Sequence, residues 1–367
     1  MKKVKIGIIG CGNISSIYFE AGSKFDILDI VACADLDFDR AKSTAEKYGV
    51  PKACTVDELL ADPDIEIVVN LTIPHAHAEI HLRALEAGKH TYGEKPLAVT
   101  MEDGQRILAL AEEKGLLVGS APDTFLGGGI QTCRKLIEDG WIGKPIAATA
   151  FMMGSGPESW HPNPGFLYQV GAGPMFDMGP YYLTALINLI GPVRRVSGSA
   201  QRTYPERTIT NDLDYGKKIP VEVPTHIAGT LDFENGAVGT IITSVDVWGS
   251  KLPHMEIYGS TGTLIVPDPN TFDGPVYVKR HNQTEFTEIP LTHGFTDNSR
   301  GLGLMDMAYA IRNGRAHRAN GAMAYHVLEL MHGFHLSSER GAHYNVESVC
   351  EQPAALPTDL PRNGLDG

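Results

Sequence analysis

A glycine-rich turn between a short strand and a helix is the feature that most constrains this fold. Residues 4–9 form an apolar, β-branched run, and Gly10-Cys11-Gly12-Asn13-Ile14-Ser15 follows at once. This matches the pattern G-x-G-x-x-G/A, with a small serine in the last position. A second apolar run, residues 27–34, ends at Asp35. A strand, a glycine-rich turn, a helix and a second strand that ends in an acidic residue are typical of a βαβ unit.

The strand and helix alternation continues to about residue 120, which predicts a doubly wound parallel sheet. After that point, strands alternate with long loops rich in glycine and proline, and Asn235-Gly236 marks a hairpin turn. A chain of 367 residues also exceeds what one hydrophobic core usually organises. We therefore predict a Rossmann domain over residues 1–123 and a second α/β domain over residues 124–367.

Composition narrows the class of protein. Hydrophobic residues make up 43% and charged residues 20%, which is ordinary for a folded globular chain. The net charge of −13 would repel a phosphate backbone, so we expect no nucleic-acid partner. No apolar run reaches the ~20 residues that span a bilayer, so we expect no membrane partner and a cytoplasmic location. The five cysteines are scattered without a CxxC pair, which argues against zinc or a redox dithiol.

The glycine-rich turn predicts a dinucleotide site. Gly10 and Gly12 would let the backbone approach a pyrophosphate, whose charge would lie at the positive end of the following helix. Asp35 would bond the hydroxyls of the adenosine ribose. Because a carboxylate repels a 2′-phosphate, this position favours NAD(H) over NADP(H), although neighbouring residues can reverse that preference.

Four motifs in this order resemble the Gfo/Idh/MocA oxidoreductase family. They are the glycine fingerprint, residues 72–77, the block Ala87-Gly88-Lys89-His90 followed by Glu94-Lys95-Pro96, and Gly-Pro-Met-Phe-Asp-Met-Gly-Pro-Tyr at residues 173–181. The resemblance implies an N-terminal Rossmann domain and a C-terminal α/β domain with a large open, mostly antiparallel sheet. That sheet often forms the subunit interface in the family, so we expect a homodimer or homotetramer.

The resemblance and the fingerprint together imply which residues meet the cofactor: Gly10, Gly12, Asn13, Ile14, Asp35, Thr72, His77, Glu94, Lys95 and Pro96. In the family, the lysine of the Glu-Lys-Pro motif lies between the nicotinamide and the substrate, and its bond to proline is often cis. Hydride transfer from an alcohol needs a base for the hydroxyl proton and a positive group near the developing alkoxide. Lys95 can supply that charge, so we predict a catalytic and substrate-binding role for it.

Asp177 and Tyr181 are the other predicted catalytic pair. They stand four residues apart and share one face if a helix starts near Asp177. Many relatives carry histidine in place of Tyr181. Because a phenol has a pKa of about 10 against about 6.5 for imidazole, a basic Tyr181 would need Lys95 or the oxidised nicotinamide to lower its pKa. Asp177 would orient the substrate or Lys95; alternatively, Asp177 caps the helix and Tyr181 packs beneath it.

Three further residues are candidates for substrate contact. Trp160 and His161 offer an aromatic plane and an imidazole for gripping a sugar ring, and His161 is also a substitute base for Tyr181. Asp123 lies at the predicted domain junction, where the family often has a polar residue. His75 and His77 are separated by one residue, but no third ligand has suitable spacing, so we predict no metal site.

The predicted function is NAD(P)-dependent interconversion of a secondary alcohol and a ketone on a sugar, glycoside or inositol-like polyol. One alternative is a glycosidase that oxidises its sugar transiently with bound NAD⁺; the absence of net NADH production would identify it. A second alternative is a non-catalytic nucleotide-binding regulator of the same fold. Lys95, Asp177 and Tyr181 argue against the regulator, because a sensor does not need proton transfer.

Overall fold

The structure, a computed structural model, describes residues 1–358 and residue 360. The strands within these residues are β1 (Val4–Ile9), β2 (Leu28–Ala34), β3 (Lys52–Cys54), β4 (Ile67–Asn70), β5 (His90–Gly93), β6 (Val118–Ser120), β7 (Pro145–Met153), β8 (Val193–Gln201), β9 (Glu206–Thr208), β10 (Lys218–Pro220), β11 (His226–Phe233), β12 (Val238–Ser244), β13 (Met255–Gly259), β14 (Gly262–Val266), β15 (Val276–Arg280), β16 (Thr287–Ile289) and β17 (Tyr344–Asn345). The α-helices are α1 (Ser15–Lys24), α2 (Phe38–Tyr48), α3 (Val56–Ala61), α4 (Pro74–Glu86), α5 (Met101–Lys114), α6 (Gly128–Glu138), α7 (Gly173–Ile190), α8 (Leu302–Asn313) and α9 (Gly321–Arg340). Short 3₁₀ helices cover Thr124–Leu126 and Pro164–Tyr168.

The first compact unit is built on a six-stranded sheet with the order β3-β2-β1-β4-β5-β6. All neighbouring strands in it are parallel, which confirms the predicted doubly wound sheet. β1 and β4 are buried nearly throughout, as expected when helices cover both faces. Because the strand order reverses between β1 and β4, the loops that leave their carboxyl ends flank the crevice where such sheets bind ligands.

The chain divides into units differently from the predicted 1–123 and 124–367. The first unit comprises Met1–Gly128 and Thr292–Leu328, with the described residues from Pro353 onward, and the second comprises Gly129–Leu291 and Glu329–Gln352. The chain returns to the first unit after residue 291, and this segment protects the edge of the sheet. β6 is an edge strand, and the Ser120 amide donates to the Ala319 carbonyl at 3.1 Å, so the returning segment covers that edge. Strand and helix alternation in the sequence gives no sign of this return.

The second unit contains a nine-stranded sheet with the order β16-β15-β14-β13-β7-β12-β11-β8-β17. Its pairs are antiparallel except for β7 and β12, which confirms the expected mostly antiparallel sheet. β11 and β12 form the predicted hairpin, with Gly236 at φ 90° in the turn. α7 packs on β7, β11 and β12 and is almost completely buried beyond its second turn. The sheet therefore carries the helix that presents Asp177 and Tyr181.

None of the helices in the described ranges combines the length and apolar character needed to cross a membrane.

Candidate active site

Gly10 and Gly12 are glycines for different reasons. Gly10 has a φ of 101°, and a Cβ there would lie 2.6 Å from the carbonyl oxygen of Leu71. Packing and backbone conformation thus both require glycine at residue 10. A Cβ on Gly12 would meet no protein atom within 4 Å. No protein contact therefore requires glycine at residue 12, and the open space beside it leaves room for a pyrophosphate.

Alanine substitutions should separate these two roles. Gly10→Ala should lower the free energy of unfolding by about 2 kcal/mol or more, because the new Cβ combines an unfavourable φ with a clash. Gly12→Ala should change that free energy by less than about 0.5 kcal/mol but weaken NADH binding about tenfold or more. Chemical denaturation and NADH titration measure the two effects. Equal destabilisation by both variants would contradict the assignment.

Asp35, predicted at the ribose, holds the glycine-rich turn. Its Oδ2 accepts the Cys11 amide at 2.8 Å, and its Oδ1 accepts the Asp37 amide at 2.9 Å. α1 then begins without a side-chain cap from Ile14, so its first amides can bind an anion. Asn13 and Ile14, predicted at the cofactor, lie at this entry to α1. The Asp35 carboxylate is thus tied to the glycine-rich turn by the hydrogen bond from the Cys11 amide.

A cavity of about 560 Å³ opens beside this turn. Gly12, Asp35 and Thr72 line it, together with the apolar side chains of Leu36 and Ile73, which are 100% and 69% exposed. Exposed apolar side chains around a concave site are typical of a ligand wall. The cavity thus fits the adenosine half of a dinucleotide, with a helix terminus for phosphate, a carboxylate for ribose and apolar walls for the base.

Asn70 and His77 hold the turn after β4. Asn70 is fully buried; its Nδ2 donates to the His77 carbonyl at 2.9 Å, and its Oδ1 accepts the Thr72 hydroxyl at 2.7 Å. The His77 ring lies 2.7 Å from the Pro96 carbonyl oxygen through Nδ1 and 3.0 Å from that of Thr72 through Nε2. Burial lowers the pKa of His77. The predicted cofactor contact of His77 needs correction, because both ring nitrogens face main-chain carbonyls inside the protein.

The Glu94-Lys95-Pro96 segment follows β5, and the Lys95–Pro96 bond is cis, as the family resemblance implies. The Glu94 carboxylate is oriented from two sides. Its Oε1 accepts the Tyr18 hydroxyl at 2.8 Å, and its Oε2 accepts the Lys95 amide at 3.1 Å. Both Glu94 and Lys95 remain partly exposed. Sequence reasoning missed Tyr18 and Asn70, because neither belongs to the motifs, although both hold motif residues in place.

Asp123 has a structural role in the first unit. The residue is 1% exposed, and its Oδ2 accepts the amides of Gly301 at 2.8 Å and Gly303 at 2.9 Å at the start of α8. Burial raises the pKa of Asp123 to about 6, although these two hydrogen bonds act to lower it. The predicted substrate contact of Asp123 needs correction, because its side chain is committed to the interior.

In the second unit, α7 presents Asp177 and Tyr181. The helix begins at Gly173, with Ala172 as its N-cap and Pro174 in its first turn, rather than near Asp177. The alternative in which Asp177 caps the helix is therefore wrong. Because both residues lie inside α7, their spacing of four places them on one face, as predicted. Tyr181 is 9% exposed.

Arg207 anchors the loop that carries Trp160 and His161. Its guanidinium pairs with Glu158 and, at 2.9 Å, with Asp246, and it donates to the Ser155 carbonyl at 2.6 Å. Both carboxylates are nearly buried. Trp160, by contrast, is 70% exposed. The anchored loop thus presents the exposed ring of Trp160. No motif in the sequence indicated Arg207.

The hydrogen bonds of His161 determine its tautomer. Its Nδ1 accepts the Asn163 amide at 3.0 Å. An amide can only donate, so Nδ1 carries a lone pair and the ring proton of neutral His161 lies on Nε2. His161 can therefore donate a hydrogen bond through Nε2, but it cannot take up a proton without breaking the bond from Asn163. This geometry argues against His161 as the substitute base.

Comparison with known proteins extends these observations. Residues 4–121 match the model described as "Oxidoreductase family, NAD-binding Rossmann fold", and residues 130–265 match the GFO/IDH/MocA C-terminal domain. A dTDP-3,4-didehydro-2,6-dideoxy-alpha-D-glucose 3-reductase of Saccharopolyspora spinosa is 31% identical over 68% of this chain and 73% of its own. Levoglucosan dehydrogenase of Pseudarthrobacter phenanthrenivorans is 26% identical over 72% and 74%.

Other similarities cover different lengths. The chain spans 64% of an uncharacterized oxidoreductase of Schizosaccharomyces pombe, with 29% identity over 61% of this chain. A solved levoglucosan dehydrogenase in complex with NADH and levoglucosan has a TM-score of 0.82 at 22% identity, covering 95% of this chain and 100% of that one. The two family models together cover most of this chain, and the protein belongs to the Gfo/Idh/MocA family of NAD-binding oxidoreductases.

Proposed function

We propose that this protein interconverts a secondary alcohol and a ketone on a sugar, glycoside or inositol-like polyol with NAD(H). The observation that carries the cofactor assignment is the glycine-rich turn, where Asp35 fixes the Cys11 amide and Gly12 leaves its surface open. When bound, NAD supplies the hydride chemistry, and the protein supplies orientation and electrostatics. Relatives that act on sugars support the substrate class.

In the first unit, Gly10, Gly12, Asp35 and Thr72 would hold the dinucleotide. Glu94, which is oriented by Tyr18, would position the turn that carries Lys95. The Lys95 ammonium would stabilise negative charge on the substrate oxygen as its proton leaves. This role requires a cation at a fixed place, and the hydrogen bonds around Glu94 and Pro96 provide that fixed place.

In the second unit, Tyr181 would exchange the hydroxyl proton of the substrate, and Asp177 on the same face of α7 would orient that hydroxyl. His161 would donate a hydrogen bond through Nε2, and Trp160 would offer an aromatic face to the apolar side of a sugar ring. Tyr181 is preferred over His161 as the acid/base because Nδ1 of His161 already accepts a main-chain amide.

His161→Ala should raise KM about tenfold, because removing a hydrogen-bond donor to the substrate costs roughly 1–2 kcal/mol of binding. The pH dependence of kcat should remain that of the wild type. Steady-state kinetics across a pH series measure both quantities. If the pH dependence of kcat disappeared in His161→Ala, His161 would be an acid/base and not only a hydrogen-bond donor, because loss of an acid/base removes that dependence.

We propose a homodimer or homotetramer in the cytoplasm, because the open sheet of the second unit often forms the subunit interface in this family. Light scattering after size exclusion measures the assembly.

The function is tested by mixing purified protein and NAD⁺ with monosaccharides, glycosides, inositols and anhydrosugars and recording NADH by absorbance. A substrate that yields NADH and a ketone supports the proposal. If glycosides are cleaved without net NADH, the transient-oxidation glycosidase replaces it. If NADH binds but none of these compounds is oxidised or cleaved, the nucleotide-binding regulator gains support.

A further inference from the structure

Trp160, His161 and Phe166 form an exposed aromatic cluster in the second unit, here named the aromatic platform. The ring centroids of Trp160 and His161 lie 5.5 Å apart, and those of His161 and Phe166 lie 4.7 Å apart. Trp160 is 70% exposed and Phe166 is 37% exposed. Apolar surface left in water forgoes about 25 cal/mol for each Å² that could be buried. A contiguous group of exposed rings is therefore typical of a surface that binds a ligand or a partner.

A buried charge network fixes the base of the aromatic platform. The Glu158 carboxylate pairs with Arg207 and accepts the Tyr168 hydroxyl at 2.6 Å. The Glu158 carbonyl accepts the Asn211 amide at 2.9 Å, and the Asn211 side chain donates to the His161 carbonyl at 2.7 Å. These bonds order the segment that carries the rings before a ligand arrives, which reduces the entropic cost of binding.

The charges around the aromatic platform favour an uncharged ligand. Residues 154–172 and 202–225 contain four lysines and arginines and five aspartates and glutamates. The four cations are bonded within the protein: they are Arg202, Arg207, Lys217 and Lys218, and their partners are the Val221 carbonyl and the carboxylates of Glu158, Asp246, Asp214 and Glu206. Phosphate recognition normally uses arginine or lysine side chains that are available to the ligand. A sugar phosphate or a nucleotide sugar is therefore a poor match for this surface.

The aromatic platform and Tyr181 lie at different depths of the second unit. Tyr181 is 9% exposed on the largely buried helix α7. Phe166 belongs to the 3₁₀ helix Pro164–Tyr168, which packs against α7. A ring that reacts at Tyr181 therefore enters a recess, whereas a ring stacked on Trp160 stays near the surface. A substrate that uses both places has a second ring beyond the one that is oxidised.

We propose that the aromatic platform binds the second, uncharged sugar ring of a glycoside while the first ring is oxidised at Tyr181. This inference rests on the proposed function and names its substrate class as a disaccharide or a larger glycoside. A sugar ring has an apolar C–H side and hydroxyl groups that accept hydrogen bonds. Trp160 offers an aromatic face to the first, and His161 donates to the second through Nε2.

The kinetic test compares kcat/KM for glucose, maltose, cellobiose and glucose 1-phosphate, or for the matching set built on another ring that the NADH assay identifies. The disaccharides should exceed both the free sugar and its phosphate about tenfold or more. Trp160→Ala should lower kcat/KM for the disaccharides about tenfold more than for the free sugar, because only the disaccharides lose a stacked ring. The fold should be retained, since Trp160 is mostly exposed.

Trp141→Ala is the matched control. Trp141 is 36% exposed and precedes the nine-residue strand β7, whereas the aromatic platform follows that strand, so the two lie beyond opposite ends of it. The Trp141 ring lies 5.8 Å from the Arg280 guanidinium. Trp141→Ala should leave the preference for disaccharides unchanged.

Three results would overturn the proposal: a wild type that prefers the free sugar or its phosphate, an equal loss on all substrates in Trp160→Ala, or dissociation of an oligomer by Trp160→Ala with unchanged disaccharide kinetics. The last result, measured by light scattering, would show that a second copy covers the aromatic platform. Calorimetric titration of the disaccharides into the NADH-loaded protein separates this proposal from the proposed function. Binding that needs Trp160 but leads to no oxidation would keep the aromatic platform and sink the proposed function.

Discussion

Lys95→Met is expected to reduce kcat by about 10²–10⁴-fold, the range typical for the loss of a charge-stabilising or proton-transferring group. The fold should be retained, because Lys95 is partly exposed and its main-chain amide, which the substitution keeps, donates to the Glu94 carboxylate. NADH should still bind, since the glycine-rich turn and Asp35, which would hold the adenosine half of the dinucleotide, are unchanged. Steady-state kinetics and NADH titration measure these effects.

Lys114→Met serves as the control for Lys95→Met. Lys114 ends α5, is exposed, and belongs to the same unit. Its loss removes one positive charge without touching the Glu94-Lys95-Pro96 segment, so kcat should stay at the wild-type value. A Lys95→Met variant with undiminished kcat would remove Lys95 from the reaction.

Tyr181→Phe is expected to reduce kcat by about 10²–10⁴-fold. In the oxidation direction, the wild-type kcat should rise with pH to a plateau, because the phenol must be able to take the substrate proton. The remaining activity of Tyr181→Phe should lack this rise of kcat with pH. Kinetics across a pH series therefore separate an acid/base from a residue that only packs, since a packing residue lowers kcat without changing the shape of the profile.

The next residue of α7 provides a matched control for Tyr181→Phe. Tyr182 is 1% exposed, and its hydroxyl lies 3.0 Å from Nδ1 of His254. Burial raises the pKa of Tyr182, so it does not serve as a base near neutral pH. Tyr182→Phe should lower the free energy of unfolding by about 1 kcal/mol and leave kcat unchanged. If Tyr182→Phe instead lowered kcat as much as Tyr181→Phe, the loss would come from disturbance of α7 and not from removal of a catalytic hydroxyl.

The sequence predicted the local features of the fold well. β1, the glycine-rich turn and Asp35 follow from patterns over a few residues, and the structure places β1 and β2 side by side as expected. The Asn235-Gly236 turn likewise gave the correct hairpin. These features were predictable because strand periodicity, turn chemistry and glycine conformations act between near neighbours in the chain.

Long-range contacts could not be predicted in this way. Asp123 looked like a pocket residue at a domain junction, yet it binds amides 178 and 180 residues later in the chain. His77 was predicted to contact the cofactor, but both nitrogens of its buried ring face main-chain carbonyls. Arg207 belongs to no sequence motif, and its partners Glu158 and Asp246 come from loops that are far apart in the sequence. Such roles arise from packing, which a single sequence does not encode locally.

The most direct test of hydride transfer uses a substrate from the NADH assay that carries deuterium on its carbinol carbon. After reaction with NAD⁺, mass spectrometry should find the deuterium in the nicotinamide of NADH and a ketone as the sugar product, and both should be lost in Lys95→Met and Tyr181→Phe. A cleaved glycoside that keeps its deuterium, with no NADH released, would contradict net alcohol oxidation and identify a transient-oxidation glycosidase instead.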